Sequence, residues 1–176
     1  GEALVWSPPA TLNTNASADT GADTMPRIVT DGYGYWAVVW VSTEPSIGGL
    51  DLGADQDILA AFSTDNGRHW SAPMALSNGP IGAGADNEPQ LACSNPARSP
   101  GAGILLAAWV AESDSGDREI VVARSLNSGQ FWLSAEALTD SHAYDAGEAM
   151  TTSESDPTLA TDGHGNWLLA WSSNAT

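Results

Sequence analysis

Apolar residues along the chain occur in short runs that polar or glycine-containing segments separate. Such runs occupy residues 36–41, 58–62, 106–109, 120–123 and 167–171. Runs of this length that are bounded by turn residues predict buried β-strands. No stretch combines a helical period with capping residues at its ends, so we expect little helix. The pattern therefore predicts an all-β fold built from short strands.

Several of these runs belong to sequence units that occur more than once. The segment Pro26–Trp36 has a close copy at Pro157–Trp167 and a more diverged copy that begins at Pro89. A second unit, Asp57–Trp70, recurs at Glu119–Trp132. Successive copies of the first unit start 63 and 68 residues apart, and all eight tryptophans fall on repeated positions. Self-similarity at a nearly fixed period is typical of repeat architectures.

Each repeat predicts four short strands. A strand that begins at Pro leads through an Asp-Gly-x-Gly turn into a Trp-rich second strand, and two more strands follow. The chain then divides into four segments. They are residues 1–25, the last strand of a preceding repeat with a linker; residues 26–87 and 88–155, one complete repeat each; and residues 156–176, the first two strands of another.

Four-stranded units at a fixed period predict the blades of a β-propeller. The smallest propellers have about four blades, and a ring of about six at this period needs roughly 380 residues. The chain has 176 residues and fewer than three such units. We therefore expect either a fragment of a longer chain or a homo-oligomer in which several copies complete the ring.

The turn between the predicted third and fourth strands carries a motif in both complete repeats. The first copy reads Ser-x-Asp-x-Gly-x-x-Trp, and the second has Asn in place of Asp. The motif residues are Ser63, Asp65, Gly67 and Trp70 in the first copy and Ser125, Asn127, Gly129 and Trp132 in the second. A short side-chain oxygen can accept hydrogen bonds from the backbone of its own turn, and glycine allows a left-handed residue. We therefore expect this motif to stabilise the fold.

With this motif, the Asp-box, the chain resembles the sialidase-like β-propeller superfamily, whose repeats are also called BNR repeats. The wider pattern is similar to bacterial tandem-repeat proteins often described as exo-α-sialidases. The resemblance covers nearly the whole chain. It implies four-stranded antiparallel blades in a six-bladed ring, with the Asp-boxes away from the catalytic face.

The charge balance is strongly acidic. The chain has 22 acidic residues, five arginines and no lysine, which gives a formal net charge of −17. Such a chain has too few cations to neutralise a run of phosphates, so we expect no nucleic-acid partner. Anionic membrane surfaces are disfavoured for the same reason, and no apolar run has the roughly 18 residues of a membrane helix. The low charged fraction and the many small polar residues suggest an extracellular protein.

An enzymatic reading depends on the resemblance. Sialidases as a family hold the substrate carboxylate with three arginines, and they use a Tyr nucleophile paired with Glu and an Asp acid/base. The nearest match to their first arginine is Arg27, in Met25–Val29, although Pro precedes the arginine and no aromatic residue leads it. The three tyrosines, Tyr33, Tyr35 and Tyr144, have no obvious Glu partner by spacing. The sequence therefore does not contain a complete catalytic set.

Three functions follow as hypotheses. The sequence favours a non-catalytic extracellular scaffold or recognition module. The alternatives are part of a sialidase-class glycoside hydrolase, to which other blades would supply the missing residues, and a lectin-like propeller that binds glycans through exposed Trp or Tyr. The expected partners are glycans or other copies of the chain.

Candidate metal ligands are confined to one loop. Asp51, Asp55 and Asp57 lie within seven residues, in the loop between the predicted second and third strands. Oxygen-rich loops can bind Ca²⁺, but the spacing is not that of an EF-hand, and a solvated acidic loop explains the same residues. The three histidines lack metal-ligand spacing. We therefore expect no cofactor other than Ca²⁺ at these aspartates.

The net charge leads to a first prediction. Repulsion among the carboxylates destabilises the compact state at low ionic strength, because few counter-ions screen it. We expect the melting temperature to rise when NaCl or Ca²⁺ is added. Thermal unfolding followed by circular dichroism at low and high ionic strength measures this effect. A melting temperature that does not change would contradict the prediction.

Overall fold

A computed structural model describes residue 6 and residues 8–77, 84–113, 116–139 and 153–174. The described residues form twelve β-strands. They contain no helix long and apolar enough to cross a bilayer. The predicted all-β class is therefore confirmed.

The first complete repeat forms a four-stranded antiparallel sheet whose strands are adjacent in the order β1-β2-β5-β6. A small separate hairpin, β3-β4, lies in the connection between its second and third strands. The strands are β1 (Asp23–Thr30), β2 (Trp36–Ser42), β3 (Ser46–Ile47), β4 (Leu50–Asp51), β5 (Asp57–Ser63) and β6 (Met74–Ala75).

The second complete repeat forms an equivalent sheet with the order β7-β8-β9-β10, and the third segment forms the pair β11-β12. These strands are β7 (Asp86–Ser94), β8 (Ile104–Glu112), β9 (Arg118–Ser125), β10 (Glu136–Ala137), β11 (Glu154–Thr161) and β12 (Trp167–Ser173). Each first strand thus begins two or three residues before the predicted boundary.

The strand predicted at the end of a preceding repeat is absent from the described part of its segment. Residues 8–12 form no strand, and residues 1–5 and 7 lie outside the described residues. In both complete sheets the fourth strand pairs with the third strand of its own sheet. The described residues before β1 offer no such partner, and Pro8 and Pro9 have no backbone N–H to donate. The last strand of a preceding repeat, expected within residues 1–25, therefore stays a prediction.

The second and third strands of the first sheet, β2 and β5, are apolar and buried on both faces. Alternate residues of each strand point to opposite faces. One face forms a core with the second sheet. This core contains Ala37, Val39, Val41, Ile58 and Ala60 from the first sheet and Leu105, Ala107, Trp109, Val121 and Ala123 from the second. The other face, with Val38 and Trp40, packs against Leu12 and Leu52. Burial on both faces explains why β2 is apolar throughout and does not alternate.

The first strand of each later sheet lies against the preceding sheet. β7 contacts β1, β2 and β5, and β11 contacts β7, β8 and β9. The prolines of these strands show the result: Pro89 and Pro157 are fully buried, whereas the equivalent Pro26 of β1 is exposed. The repeats are therefore stacked in sequence, and β1 has no preceding sheet over it among the described residues.

Candidate functional site

The first strands of the three sheets meet in one cleft with a volume of about 390 Å³. Repeat-equivalent positions on β1, β7 and β11 form its walls. The lining residues are Met25, Arg27, Glu88, Gln90, Asp156, Pro157 and Thr158. The cleft therefore combines charged, amide and hydroxyl groups with the exposed apolar surface of Met25.

A β-bulge in each of the three strands shapes this cleft. The pairing register shifts between Thr24 and Arg27, and it shifts at the equivalent places in β7 and β11. Met25, Glu88 and Asp156, each directly before a proline, have φ values of 52°, 57° and 52°. A left-handed residue other than glycine is uncommon and strained, at a cost of order 1–3 kcal/mol. Bulges change the direction in which side chains point. The same strained bulge occurs in all three strands that line the cleft.

Glu88 connects three strands at the cleft. Its Oε1 accepts a hydrogen bond from Arg118 Nη2 of β9 at 2.8 Å, and its Oε2 accepts one from the backbone N–H of Asp156 in β11 at 2.6 Å. These bonds hold the bulge of β11 against β7. The Glu88 carboxylate is therefore occupied by the protein itself.

Arg27 is the arginine for which the sequence suggested a catalytic role. It is exposed on β1, and its guanidinium donates a hydrogen bond to the Pro26 carbonyl at 3.2 Å. Within the described ranges it has no carboxylate partner and is the only arginine that lines the cleft. Tyr33 and Tyr35 lie in the hairpin at the opposite end of β1, and Tyr144 lies outside the described residues. The cleft thus brings Arg27 together with Gln90 and Thr158 but with no tyrosine among the described residues.

The first Asp-box turn is held by side-chain-to-backbone hydrogen bonds. Ser63 Oγ donates to Asp65 Oδ1 at 2.9 Å and accepts from the Gly67 N–H at 2.9 Å. Asp65 Oδ1 also accepts from the His69 N–H at 2.9 Å, and the His69 ring Nδ1 lies against Asp65 Oδ2. This contact with His69 lowers the pKa of Asp65 to about 2. Trp70 Nε1 donates to the Gly67 carbonyl at 3.2 Å, which fixes the indole against the turn.

The second turn repeats this geometry with an amide in place of the carboxylate. Ser125 Oγ donates to Asn127 Oδ1 at 3.0 Å and accepts from the Gly129 N–H at 3.0 Å. Asn127 Oδ1 accepts from the Phe131 N–H at 2.9 Å, and Trp132 is buried in the core between the sheets. Both turns use the same acceptor oxygen, which a carboxylate supplies in the first and an amide in the second.

The three aspartates of the acidic loop have separate roles. Asp51 is exposed and accepts a hydrogen bond from the Gly53 N–H at 3.1 Å, whereas Asp57 is buried at the start of β5. Asp55 is half-buried between them, and its charge adds to the effect of burial in raising the pKa of Asp57. In the part of the chain that the structure describes, no group of three or more His, Cys, Asp or Glu side chains is arranged to hold a metal ion.

Asp57 instead belongs to a pair of buried carboxyls between the first two sheets. Ser77 Oγ donates to Asp57 Oδ1 at 3.0 Å, and Asp86 Oδ1 accepts from Trp109 Nε1 at 3.0 Å. Burial raises the pKa of Asp57 to about 6, and burial with repulsion from Asp57 raises the pKa of Asp86 to about 8. The two carboxyls therefore titrate as a pair, well above the ordinary range of an aspartate.

The Asp86–Trp109 bond belongs to a repeated pattern that the sequence reasoning missed. In the first sheet, Trp40 Nε1 donates to Asp23 Oδ1 at 2.9 Å. An acidic residue lies three positions before the proline of every repeat, at Asp23, Asp86 and Glu154. A buried indole N–H needs an acceptor. The regular spacing of these acidic residues could therefore have predicted the bond to the tryptophan.

A second repeated bond joins neighbouring sheets. Asp31, which follows β1, accepts a hydrogen bond at Oδ2 from the Gly101 N–H of the next sheet at 2.9 Å. Ser94, five residues after its repeat's proline as Asp31 is, accepts at Oγ from the Gly165 N–H of the third at 3.0 Å. The end of each first strand therefore anchors the first hairpin of the sheet that follows. Asp162 occupies this position in the third segment and is exposed.

Comparison of the chain with protein-family models and with curated proteins finds no match. The function is therefore inferred from the cleft, the turns and the contacts between sheets.

The paired turns predict how substitutions at Asp65 behave. Asp65→Asn keeps the acceptor oxygen, as Asn127 does in the second turn, so we expect a melting temperature close to that of the wild type. Asp65→Ala removes the acceptor for the His69 N–H, and we expect the melting temperature to fall by roughly 2–4 °C. Differential scanning calorimetry compares the two variants. An equal fall in melting temperature in both variants would show that the turn depends on the charge of Asp65. It would contradict the prediction that the acceptor oxygen alone is sufficient.

The buried acid pair predicts how stability depends on pH. The pKa of Asp86 is about 8 in the folded chain and has an ordinary value of 3.8 when the carboxyl is exposed. Between these values the unfolded chain releases a proton that the folded chain keeps, so this group's contribution to stability falls as the pH rises from about 4 to about 8. Asp86→Asn removes this loss. We expect the variant to exceed the wild type in melting temperature at pH 8 by more than at pH 5.

Asp23→Asn is the matched control for this experiment. Asp23 occupies the same repeat position and accepts the same type of indole hydrogen bond, but it is exposed. We expect a smaller change with pH from this substitution. If Asp86→Asn and Asp23→Asn shift the melting temperature equally at both pH values, burial of Asp86 does not couple folding to proton binding.

Proposed function

We propose that the described sheets are successive blades of a larger β-propeller of the sialidase-like type, and that the chain is a non-catalytic extracellular scaffold or recognition module. The observation that carries this proposal is the meeting of β1, β7 and β11 in one cleft. In a propeller the first strand of every blade lies nearest the central axis, so a shared cleft between first strands is the geometry expected there.

The contacts between sheets support the blade arrangement. The same kind of hydrogen bond joins the first sheet to the second, at Asp31, and the second to the third, at Ser94. A contact repeated in this way is characteristic of arrays in which each repeat touches its neighbours. The exposure of Pro26, where Pro89 and Pro157 are buried, is consistent with a place for a further blade before β1.

The composition of the cleft favours recognition over catalysis. Recognition of a carboxylate by a sialidase-class site uses several arginines, because the planar guanidinium binds a carboxylate through two hydrogen bonds. Here Arg27 stands alone on the described wall, and the Glu88 carboxylate is held by Arg118 and the Asp156 N–H. Glycans are the ligand class that suits the remaining groups, since Gln90 and Thr158 can bond hydroxyls while the exposed Met25 offers an apolar surface.

A single set of assays separates the three functions. The purified chain is incubated with a fluorogenic sialoside and, in parallel, applied to an array of immobilised glycans. We expect no release of the fluorophore, and we expect any glycan binding to weaken in Arg27→Ala and Gln90→Ala. Arg68→Ala, at an exposed turn position away from the cleft, is the control.

Each outcome has a defined meaning. Turnover of the sialoside that Arg27→Ala abolishes would overturn the non-catalytic proposal. Glycan binding without turnover would assign recognition, and the absence of both would leave the scaffold role. If Arg68→Ala weakens glycan binding as much as Arg27→Ala does, the cleft is not the glycan-binding site.

A further inference from the structure

Two buried carboxyl groups lie together at the contact between the first two sheets. Asp57 begins β5 and is 7% exposed, and Asp86 begins β7 and is 1% exposed. The backbones meet at the same place, where the Asp86 N–H donates to the Gln56 carbonyl at 2.7 Å. Asp55 adds a third negative charge that acts on both carboxyls. Acidic groups are therefore concentrated inside the molecule, between two neighbouring sheets.

The protein satisfies only part of this acidic cluster. Ser77 Oγ donates to Asp57 Oδ1 at 3.0 Å, and Trp109 Nε1 donates to Asp86 Oδ1 at 3.0 Å. Asp57 Oδ2 is buried and has no hydrogen-bond partner among the described residues. A buried carboxylate oxygen that has neither a donor nor a cation beside it is costly. Because a second buried carboxyl lies close to it, this oxygen is placed to bind a cation.

The same set of groups occurs at the contact between the second sheet and the third segment. Glu154 begins β11, and Thr139 Oγ1 donates to Glu119 Oε2. The backbones of Arg118 and Ser153, each directly before one of these glutamates, pair with each other. Glu154 is 5% exposed, and its Oε2 has no hydrogen-bond partner among the described residues. An acid held by a hydroxyl next to a second buried acid is thus a feature of the repeat.

The chemistry of the cluster indicates which cation suits it. Its ligand atoms are carboxylate oxygens, and hard oxygen ligands suit Ca²⁺, Mg²⁺ and Mn²⁺ better than softer metals. Ca²⁺ accepts irregular geometry and completes its shell with backbone carbonyls and water, whereas Mg²⁺ requires a nearly ideal octahedron. Two carboxyls from different sheets form an irregular pair, which favours Ca²⁺.

We propose that Asp57 and Asp86 bind a Ca²⁺ ion between the first two sheets. Asp57 Oδ2 is one ligand, and Ser77 holds the other oxygen of that carboxyl in place. The ion neutralises both carboxyls and connects the start of β5 to the start of β7. With two carboxylate ligands we expect a dissociation constant on the order of 10⁻⁴–10⁻³ M, as in extracellular Ca²⁺-binding modules.

This site differs from the acidic loop considered in the sequence. Asp51 does not belong to it, and Asp86 comes from the next repeat. It contains two carboxylate ligands, so it is smaller than the groups of three or more ligands that the described residues lack. The proposal depends on neither the cleft nor the blade arrangement, because the contact between the first two sheets is present in this chain.

Terbium luminescence tests the site. Tb³⁺ replaces Ca²⁺ at oxygen ligands, and it emits after tryptophan excitation only when an indole is close to the ion. Trp109 provides that indole, since it is bonded to Asp86. The full chain, freed of metal by a chelator, is titrated with Tb³⁺, which is then displaced by Ca²⁺. We expect saturable emission that Ca²⁺ reverses, and we expect Mg²⁺ to need about tenfold higher concentrations.

Four variants make the test specific. Asp57→Asn and Asp86→Asn each remove one carboxylate and keep an acceptor oxygen, and we expect the emission to fall by about half or more. Asp23→Asn is the matched control, because Asp23 occupies the repeat position of Asp86 and bonds an indole but is exposed. Asp51→Asn tests the acidic loop at an exposed residue. Both controls should leave the emission unchanged.

A thermal measurement separates bound Ca²⁺ from screening of the net charge. At equal ionic strength, CaCl₂ should raise the melting temperature of the wild type more than NaCl does. In Asp86→Asn the two salts should act equally. Circular dichroism confirms that each variant is folded, and Asp57→Asn provides the same test if Asp86→Asn is not.

The proposal fails if Tb³⁺ gives no saturable emission or if the two buried-site variants emit as the wild type does. It also fails if either control reduces the emission as much as they do, or if CaCl₂ and NaCl stabilise the wild type equally. None of these results depends on glycan binding or sialoside turnover at the cleft, so the Ca²⁺ site and the proposed function can fail separately.

Discussion

The structure depends on one constraint: the inner strands of the first two sheets are apolar on both faces. A sheet of this kind is stable only when something covers each side, and in this chain the neighbouring repeat does so. Val39 and Trp109 lie in the core that the first two sheets share, whereas Trp40 on the reverse face is covered by the N-terminal segment and a loop. The stacking of repeats, the buried hydrogen bonds between them and the exposed apolar surface at the last segment all follow from this constraint.

Stacking brings polar groups into the contact between sheets, and the repeat supplies a partner for them each time. The indole of Trp109 donates to Asp86, and the Asp31 carboxylate receives a backbone N–H from the next sheet. Bonds of this kind fix how one sheet sits on another, which apolar contacts alone do loosely because they have little directionality. The cleft between the first strands then results from this fixed placement together with the bulges at Met25, Glu88 and Asp156.

Much of the fold could be predicted from the sequence because strand content and repeat period are local properties. The spacing of the tryptophans and the Asp-Gly-x-Gly turns was sufficient to predict two four-stranded sheets and a third pair. The strand expected within residues 1–25 is not seen among residues 8–12, because a strand depends on a partner, which composition does not reveal. The bulges were not predicted for a similar reason. A left-handed residue before proline is locally unfavourable, so the local sequence does not indicate it, and it is found only from the strand pairing.

The candidate site was less predictable than the fold. Arg27 was selected by resemblance, and the structure places it in the cleft, but its neighbours Gln90 and Thr158 come from repeats that are 63 and 131 positions away. The acidic loop at Asp51, Asp55 and Asp57 was considered as a unit because its residues are adjacent in sequence. Their side chains separate because β5 begins at Asp57 and carries that residue into the interior.

The repeated tryptophan gives the molecule an optical consequence. Trp40, Trp109 and Trp171 occupy one repeat position but are 5%, 1% and 39% exposed. An indole that is shielded from water emits at a shorter wavelength than one in contact with water. The three side chains therefore differ in emission maximum although they occupy the same repeat position. Intrinsic fluorescence from this single position therefore reports, repeat by repeat, whether a sheet has a neighbour.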